Sequence, residues 1–501
     1  MTAVGGKEAW AGAGRPTPRM LLDLEERVNA VPFAGIPLWG TLNANLVIEL
    51  FNRQSTWRDR ARWLNGARRW RCLARAPWRG ARVGLPAGAG RRRFLVTCSY
   101  DNFRYTDLMF PVVKELEPAR CVVLGARTDV LARLPGGAVG VGWGEGMGFD
   151  LGEWRRTYVS WWPACWRALC GACRVHDLPG WVAYRLGFVV TLASQYVTGC
   201  LALLRQVQPA AVLTEADRLP FWSCLVLAAR QLAIPSSTLV HGVLNDQAVG
   251  YVPLLADQVL CWGEVDRGRF LAAGVDPQRV LLGGCPRLSR SVLADRSGAK
   301  AKLGLPPGRP AVMLGSEGGD VGLCRRLAEV FIAGVRSLRE LAAFVRLHPC
   351  ESLAVYGEVA RQCPDIRFSP NSEASLDEAL AAADVVVVAN SGVGSDALFK
   401  GRPVIVLHLE GALAGNALEL VNRGECPVAH SAEQLAEALG KLLREPEELA
   451  RRVAAAARYA DLLCRYSGVE SAQRIAAVLE RQAADRGRLA GGRVSEPGAR
   501  R

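Results

Sequence analysis

The chain has 501 residues, 50% of them hydrophobic and 22% charged, a balance that excludes a disordered polypeptide and provides for two or three cores. The net charge of +14 lies almost wholly between Phe51 and Arg93, where thirteen arginines stand against one acid, Asp59. No signal-peptide pattern opens the sequence, so the 15 cysteines are expected to be small buried hydrophobes in a reducing, cytoplasmic protein rather than a disulfide framework.

Residues 1–90 read as a leader, with a Gly-, Ala- and Pro-rich tip, a basic amphipathic stretch from Trp57 to Arg75 and a linker from Gly84 to Gly90. Its arginines alternate with Trp57, Trp63, Trp70 and Trp78. That pattern suits an anionic membrane surface, with rings at headgroup level, so Trp57–Arg93 is expected to hold the protein on the inner face of the membrane. A plain solvated basic face is the alternative, and nucleic acid is set last.

From Phe94 the pattern turns to strands alternating with helices, the mark of a parallel sheet covered on both faces. Strands are expected at Phe94–Ser99, Cys121–Gly125, Ala210–Leu213, from Ile234, at Gln258–Trp262 and at Arg279–Leu282. Between them the uncharged run Leu186–Leu204 carries Thr191, Ser194, Gln195 and Thr198, which reads as a buried helix rather than a membrane span. Cys165, Cys170, Cys173 and His176 approach a metal-ligand spacing, but the set is incomplete; packing on a helix is the reading, and no metal is expected. A second set follows at Ala311–Gly315, Ala343–Leu347, Asp384–Ala389 and Pro403–Leu407, with helices at Ala432–Leu443, Pro446–Cys464 and Val469–Gln482. The expected architecture is α/β: two tandem Rossmann-like, doubly wound domains, 91–284 and 285–483, facing across a cleft, then a disordered tail from 484 to 501. Ligands bind such sheets at the carboxyl ends of the strands.

Those strand ends carry the chemistry. Gly315-Ser316-Glu317-Gly318-Gly319 is a loop of mostly small residues whose amides can approach an anion, or an ordinary turn. Arg346 and His348 end the next strand, where His348 can donate to a phosphate and Arg346 can assist if it faces the same way. Asn390-Ser391-Gly392 opens a helix that carries Asp396; the exposed amides suit a diphosphate and the carboxylate suits ribose hydroxyls, while helix capping is the alternative. In the first domain Glu215, Asp217 and His241 reach one rim, as proton transfer requires. Trp262-Gly263-Glu264 and Gly284-Cys285-Pro286-Arg287 mark the passage between domains, with glycines where a hinge needs them.

In order, His241-Gly242, Tyr251-x-Pro253-x-x-Ala256-Asp257, the Trp-Gly-Glu and Gly-Cys-Pro-Arg runs, Arg346-Leu-His-Pro, Asn390–Leu398 and Lys400–Leu407 resemble bacterial GT-B glycosyltransferases. They look most like the capsule and surface-polysaccharide and polyglycerol-phosphate transferases, and the similarity covers roughly Phe94 to Leu479. The resemblance implies a nucleotide-sugar donor, a glycan or lipid-linked acceptor, inversion and no obligatory metal or other cofactor. It makes His241 the general base, with Asp217 as the alternative, and places His348, Ser391 and Gly392 at the donor phosphates, with either Arg346 or Arg287 to assist them. Asp396, where glutamate is commoner, would hold the ribose. UDP-N-acetylglucosamine 2-epimerases share the landmarks, but their His-Val-Glu-Ala-Gly glutamate is Val240 here and their paired glutamates reduce to Asp396. A non-catalytic sugar-nucleotide or polysaccharide binder is the third reading.

Overall fold

The computed structural model describes residues 18–41, 93–99, 105–125, 128–142, 151–177, 180–218, 220–242, 244, 251–288, 295–318, 320–349, 351–411, 413 and 415–491. The expected basic stretch Trp57–Arg93, apart from Arg93, lies outside them, as does the end of the tail.

The described strands form two all-parallel sheets. The first runs β3-β2-β1-β4-β5-β6-β7, and its strands are β1 (Phe94–Cys98), β2 (Cys121–Gly125), β3 (Val139–Gly142), β4 (Ala211–Thr214), β5 (Ser236–Leu239), β6 (Gln258–Cys261) and β7 (Val280–Leu282). The second runs β10-β9-β8-β11-β12-β13, with β8 (Ala311–Gly315), β9 (Ala342–Arg346), β10 (Arg367–Ser369), β11 (Val385–Val388), β12 (Val404–Leu407) and β13 (Val428–Ala429). Central strands such as β1 and β11 are buried at every position, which is why they read as unbroken apolar runs. The edge strands β3, β10 and β13 escaped the sequence reading because two glycines dilute the first and the others have only 3 and 2 residues. In each sheet the chain reverses direction between two central strands, β1 and β4 or β8 and β11, and that reversal opens a crevice at the carboxyl edge.

Three boundaries differ from expectation. The segment read as part of a leader begins a helix, Pro18–Asn29, that buries Leu24 and Val28 in the first domain; Phe33 and Ile36 follow it into the core. Trp161 clamps this segment, its Nε1 donating to the Val31 carbonyl at 2.8 Å and its ring edge-on to Phe33. At the other end the chain returns: the helix Gly468–Gly491 packs on the first domain, through Arg120–Glu480 at 2.7 Å and Ser237–Gln482 at 3.2 Å. The last helix therefore belongs spatially with the first sheet, although its sequence follows the second domain. The tail expected from Ala484 instead continues this helix, and Arg486 donates to the Pro209 carbonyl.

The return also explains the glycines of the passage. A Cβ on Gly263 would lie 2.3 Å from the Leu462 carbonyl oxygen, and one on Gly284 would lie 2.1 Å from that of Tyr466. Cys285 N–H donates to Tyr466 O at 2.9 Å and Arg465 N–H to Trp262 O at 3.0 Å, so two backbones run side by side here. These glycines admit a close crossing of chains where the sequence suggested a hinge.

The helix Leu151–Val175 lays Cys165 and Cys173 into the core, and His176 pairs with Asp23 at 2.9 Å. The next helix, Gly180–Val207, contains a stretch long and apolar enough to cross a membrane, Leu186–Val207, most of which is buried in the fold.

Candidate active site

His241 follows β5 at the carboxyl edge of the first sheet and is half-buried. Its ring stacks on Tyr105, with centroids 5.4 Å apart and planes 20° from parallel. The Nδ1 atom lies 3.0 Å from the Glu215 carbonyl oxygen and also meets the Tyr251 hydroxyl. A carbonyl can only accept, so it favours the tautomer with the proton on Nδ1, in which Nε2 is the basic nitrogen of the ring. Tyr251 completes the cradle: its hydroxyl accepts from the His241 backbone N–H at 2.9 Å and donates to Glu215 O at 3.2 Å. Sequence reading noted Tyr251 only within a motif and missed Tyr105; neither type nor spacing marks a residue that orients a histidine.

The two acids of the rim point inward. Glu215 is fully buried and accepts from Thr97, Ser99 and Trp222, the last at 3.0 Å. Burial raises its pKa against those hydrogen bonds. Asp217 is equally buried; one oxygen accepts from the Leu255 and Ala256 amides at 2.7 and 2.8 Å. Burial pushes its pKa up to about 6 while the two amides pull it down. Asp217 thus braces the segment that carries Tyr251, and its carboxylate is closed to an acceptor in the cleft.

In the second domain the strand ends converge as the sequence suggested, with different internal partners. Gly318, at φ +66°, lies so close to His348 that a Cβ would meet its Nδ1 at 2.4 Å. Ser316 turns inward, its hydroxyl bonded to Glu351 at 2.8 Å and to Tyr356 at 2.6 Å. Glu351 also accepts from the His348 amide at 2.8 Å, fixing the loop that bears the histidine. Arg346 is buried and donates to the Ala374 carbonyl at 2.8 Å; burial lowers its pKa to about 10. Its guanidinium serves the loop after β10 and is not brought to His348.

At the end of β11, the Asn390 amide donates to the Glu317 carboxylate. Burial raises the Glu317 pKa, opposed by the Asn390, Ser391 and Ala389 amides. Asn390 caps a different helix from the one it precedes, its Oδ1 accepting from Ala417 N–H at 2.8 Å. The Ser391 carbonyl accepts from Asn416 Nδ2 at 2.7 Å, and Gly392 begins the turn into the helix Val393–Phe399. On that helix Asp396 pairs with Arg287 at 3.3 Å, and both side chains are nearly buried.

Arg287 ties the halves together. Its guanidinium lies 5.4 Å from the Trp262 ring centroid, and Trp262 Nε1 donates to the Val240 carbonyl at 2.6 Å, one residue before His241. A continuous path of contacts thus runs from Asp396 to the backbone of His241. Beside it a second bridge joins the domains, Arg269 to Glu419 at 2.8 Å, with Asp266 buried nearby and its pKa pushed up to about 7 by burial. No sequence motif signalled this bridge, whose members are 150 residues apart.

No family model matches the chain. Over 119 residues, 23% of its length, it is 36% identical to the lipid-A-disaccharide synthase of Pseudomonas entomophila (strain L48), and the match spans 31% of that protein. The chain therefore aligns with about a third of the length of the curated relatives it matches. Among solved structures it resembles a putative UDP-N-acetylglucosamine 2-epimerase from Listeria monocytogenes (TM-score 0.51, 14% identity, covering 78% of this chain and 97% of that one). It also resembles the UDP-GlcNAc 2-epimerase from Neisseria meningitidis bound to UDP-GlcNAc (0.50, 12%, 78% and 100%) and the glycotransferase of kitacinnamycin (0.50, 16%, 78% and 100%). At these identities the likeness is one of fold, and the fold is GT-B.

Proposed function

We propose that this GT-B chain is a glycosyltransferase that moves a sugar from a nucleotide-activated donor to a surface glycan or lipid-linked acceptor. The observation that carries the reading is His241: a half-buried imidazole at the carboxyl edge of the first sheet, whose Nδ1 faces a carbonyl, which makes Nε2 the basic nitrogen. Nε2 takes the proton of the acceptor hydroxyl as its oxygen attacks the anomeric carbon. The leaving nucleotide accumulates charge at the second domain, where His348 and the amides of Ala389 to Gly392 meet it. Glu317 holds the amides of Ala389, Asn390 and Ser391 now, so donor phosphate displaces its carboxylate. The mechanism uses no metal and inverts the anomeric centre. The stretch shared with lipid-A-disaccharide synthases supports this class. Epimerase chemistry is disfavoured by Val240, which offers no carboxylate at the rim.

A thermal-shift screen against UDP-, CMP-, CDP-, GDP- and dTDP-sugars tests the donor half. One nucleotide class is expected to raise the melting temperature, since saturation at 100 times Kd adds about 2.7 kcal/mol. Asp396→Ala should shrink that ligand-induced shift, read against its own unliganded melt because the variant also strips Arg287 of its partner. A flat response to every nucleotide would leave a binder of polymer alone.

A further inference from the structure

The helix Leu151–Val175 presents a face that the other described residues leave exposed. Val159 and Val175 are each 62% exposed, where most of the large apolar side chains described in the first domain are covered. Arg156, Arg167 and Arg174 share one stripe by helical spacing, with Val159 beside it and Val175 at the helix end on the other side, and all three arginines are exposed. None forms an ion pair with another described residue, and the helix has one acid, Glu153, at its far end paired with Arg205.

Along one flank runs a ladder of rings at four-residue intervals. Trp154 stacks on Tyr158 (4.7 Å), Tyr158 on Trp162 (5.4 Å) and Trp162 on Trp166 (5.6 Å). Gly187 of the following helix makes room for it, since a Cβ there would touch Trp162 at 2.9 Å. Trp162 and Trp166 remain half-buried beside the basic stripe.

The position of this face matters as much as its composition. The helix Gly180–Val207 leads into β4, so Val207 marks the amino end of that strand. Ala193 is level with Cys224, which reaches its carbonyl from the helix leaving the carboxyl end of β4. The residues from Gly180 to Ala193 span about 20 Å at helical rise. They carry the hairpin, with Arg167 and Arg174 on its partner helix, beyond the carboxyl edge where His241 stands.

We propose that this face docks the protein on an anionic lipid bilayer, with the arginines at the headgroup phosphates and Trp162, Trp166 and Val159 at the boundary with the acyl region. Three exposed arginines in one stripe, flanked by indoles and by the exposed Val159, suit that surface. The hairpin then sets the rim that bears His241 against the membrane, where a lipid-linked acceptor is presented. That last clause rests on the glycosyltransferase reading; the docking itself does not.

The test is co-sedimentation of the full chain with phosphatidylglycerol-containing vesicles and with pure phosphatidylcholine vesicles, in the absence of nucleotide. The protein is expected to partition to the anionic vesicles. The triple variant Arg156→Glu, Arg167→Glu, Arg174→Glu should lose about tenfold or more of that partition with an unchanged melt. Val159→Asp, at an exposed site, should weaken it independently and covers a failure of the triple variant to fold. Unchanged partition of both variants, or equal binding to neutral vesicles, would overturn the proposal. So would preferential binding of single-stranded DNA that the same arginines abolish, which would assign the face to nucleic acid. A flat nucleotide screen beside intact vesicle binding would sink the transferase reading and leave the docking face standing.

Discussion

Replacing His241 by alanine is expected to cut sugar transfer by about 10²–10⁴-fold while the donor-induced thermal shift stays at its wild-type size. The asymmetry follows from placement. His241 is anchored in the first domain by Tyr105, Tyr251 and the Glu215 carbonyl, whereas the proposed donor groups all belong to the second domain or the passage into it. Removing an imidazole that acts only as a base affects the barrier and leaves ground-state donor contacts intact. Wild-type turnover in His241→Ala would eliminate it as the base. Asp217 could not take over, because its carboxylate is buried on the Leu255 and Ala256 amides.

The second large effect is structural. Gly284→Ala should destabilise the protein by about 3 kcal/mol, from the left-handed backbone at φ +77° together with a Cβ placed 2.1 Å from the Tyr466 carbonyl. Because the obstruction is backbone, no side-chain rotation relieves it. The returning segment Cys464–Ser467 would have to move away from Cys285, loosening the helix Gly468–Gly491 from the first domain. A fall in melting temperature of about 3 °C is expected. Gly274→Ala is the matched control: it has φ +83° but nothing within 4 Å, so it carries the backbone strain without the collision. Equal melts for the two variants would show that the crossing is looser than described.

Much of this architecture was legible because a doubly covered parallel sheet needs strands that are apolar on both faces. Runs such as Val385–Val388 and Ala311–Gly315 announce themselves. The return of the last helix was not legible. Its apolar face reads the same whichever domain receives it, and contacts such as Ser237 and Gln258 with Gln482 and Arg120 with Glu480 reveal the choice. For the same reason residues 18–41 looked like a leader: a 12-residue helix separated from β1 by a long arginine-rich stretch gives no sign that Leu24 and Phe33 are core.

The site was legible in its landmarks and not in its wiring. Histidines after strands, and glycines beside them, follow from the crevice geometry of the fold. Which way a side chain turns does not. Ser316 and Arg346, read as donor groups, are engaged inside the domain with Glu351, Tyr356 and the Ala374 carbonyl. Asp396, read as a ribose ligand, is paired with Arg287, so a sugar hydroxyl must share that carboxylate with a guanidinium. Pairings across a hundred residues, such as this one and Arg269 with Glu419, leave no local pattern in the sequence.

The central claim is most directly tested by incubating the purified protein with the nucleotide sugar that the thermal screen selects and a membrane lipid extract as acceptor source. The readout is release of free nucleotide and transfer of label to the lipid phase, beside His241→Ala. Nucleotide release coupled to labelled lipid or glycan is expected, and neither product with the variant. Conversion of the donor to its 2-epimer with no label transferred, or no turnover of any nucleotide sugar despite binding, would contradict it.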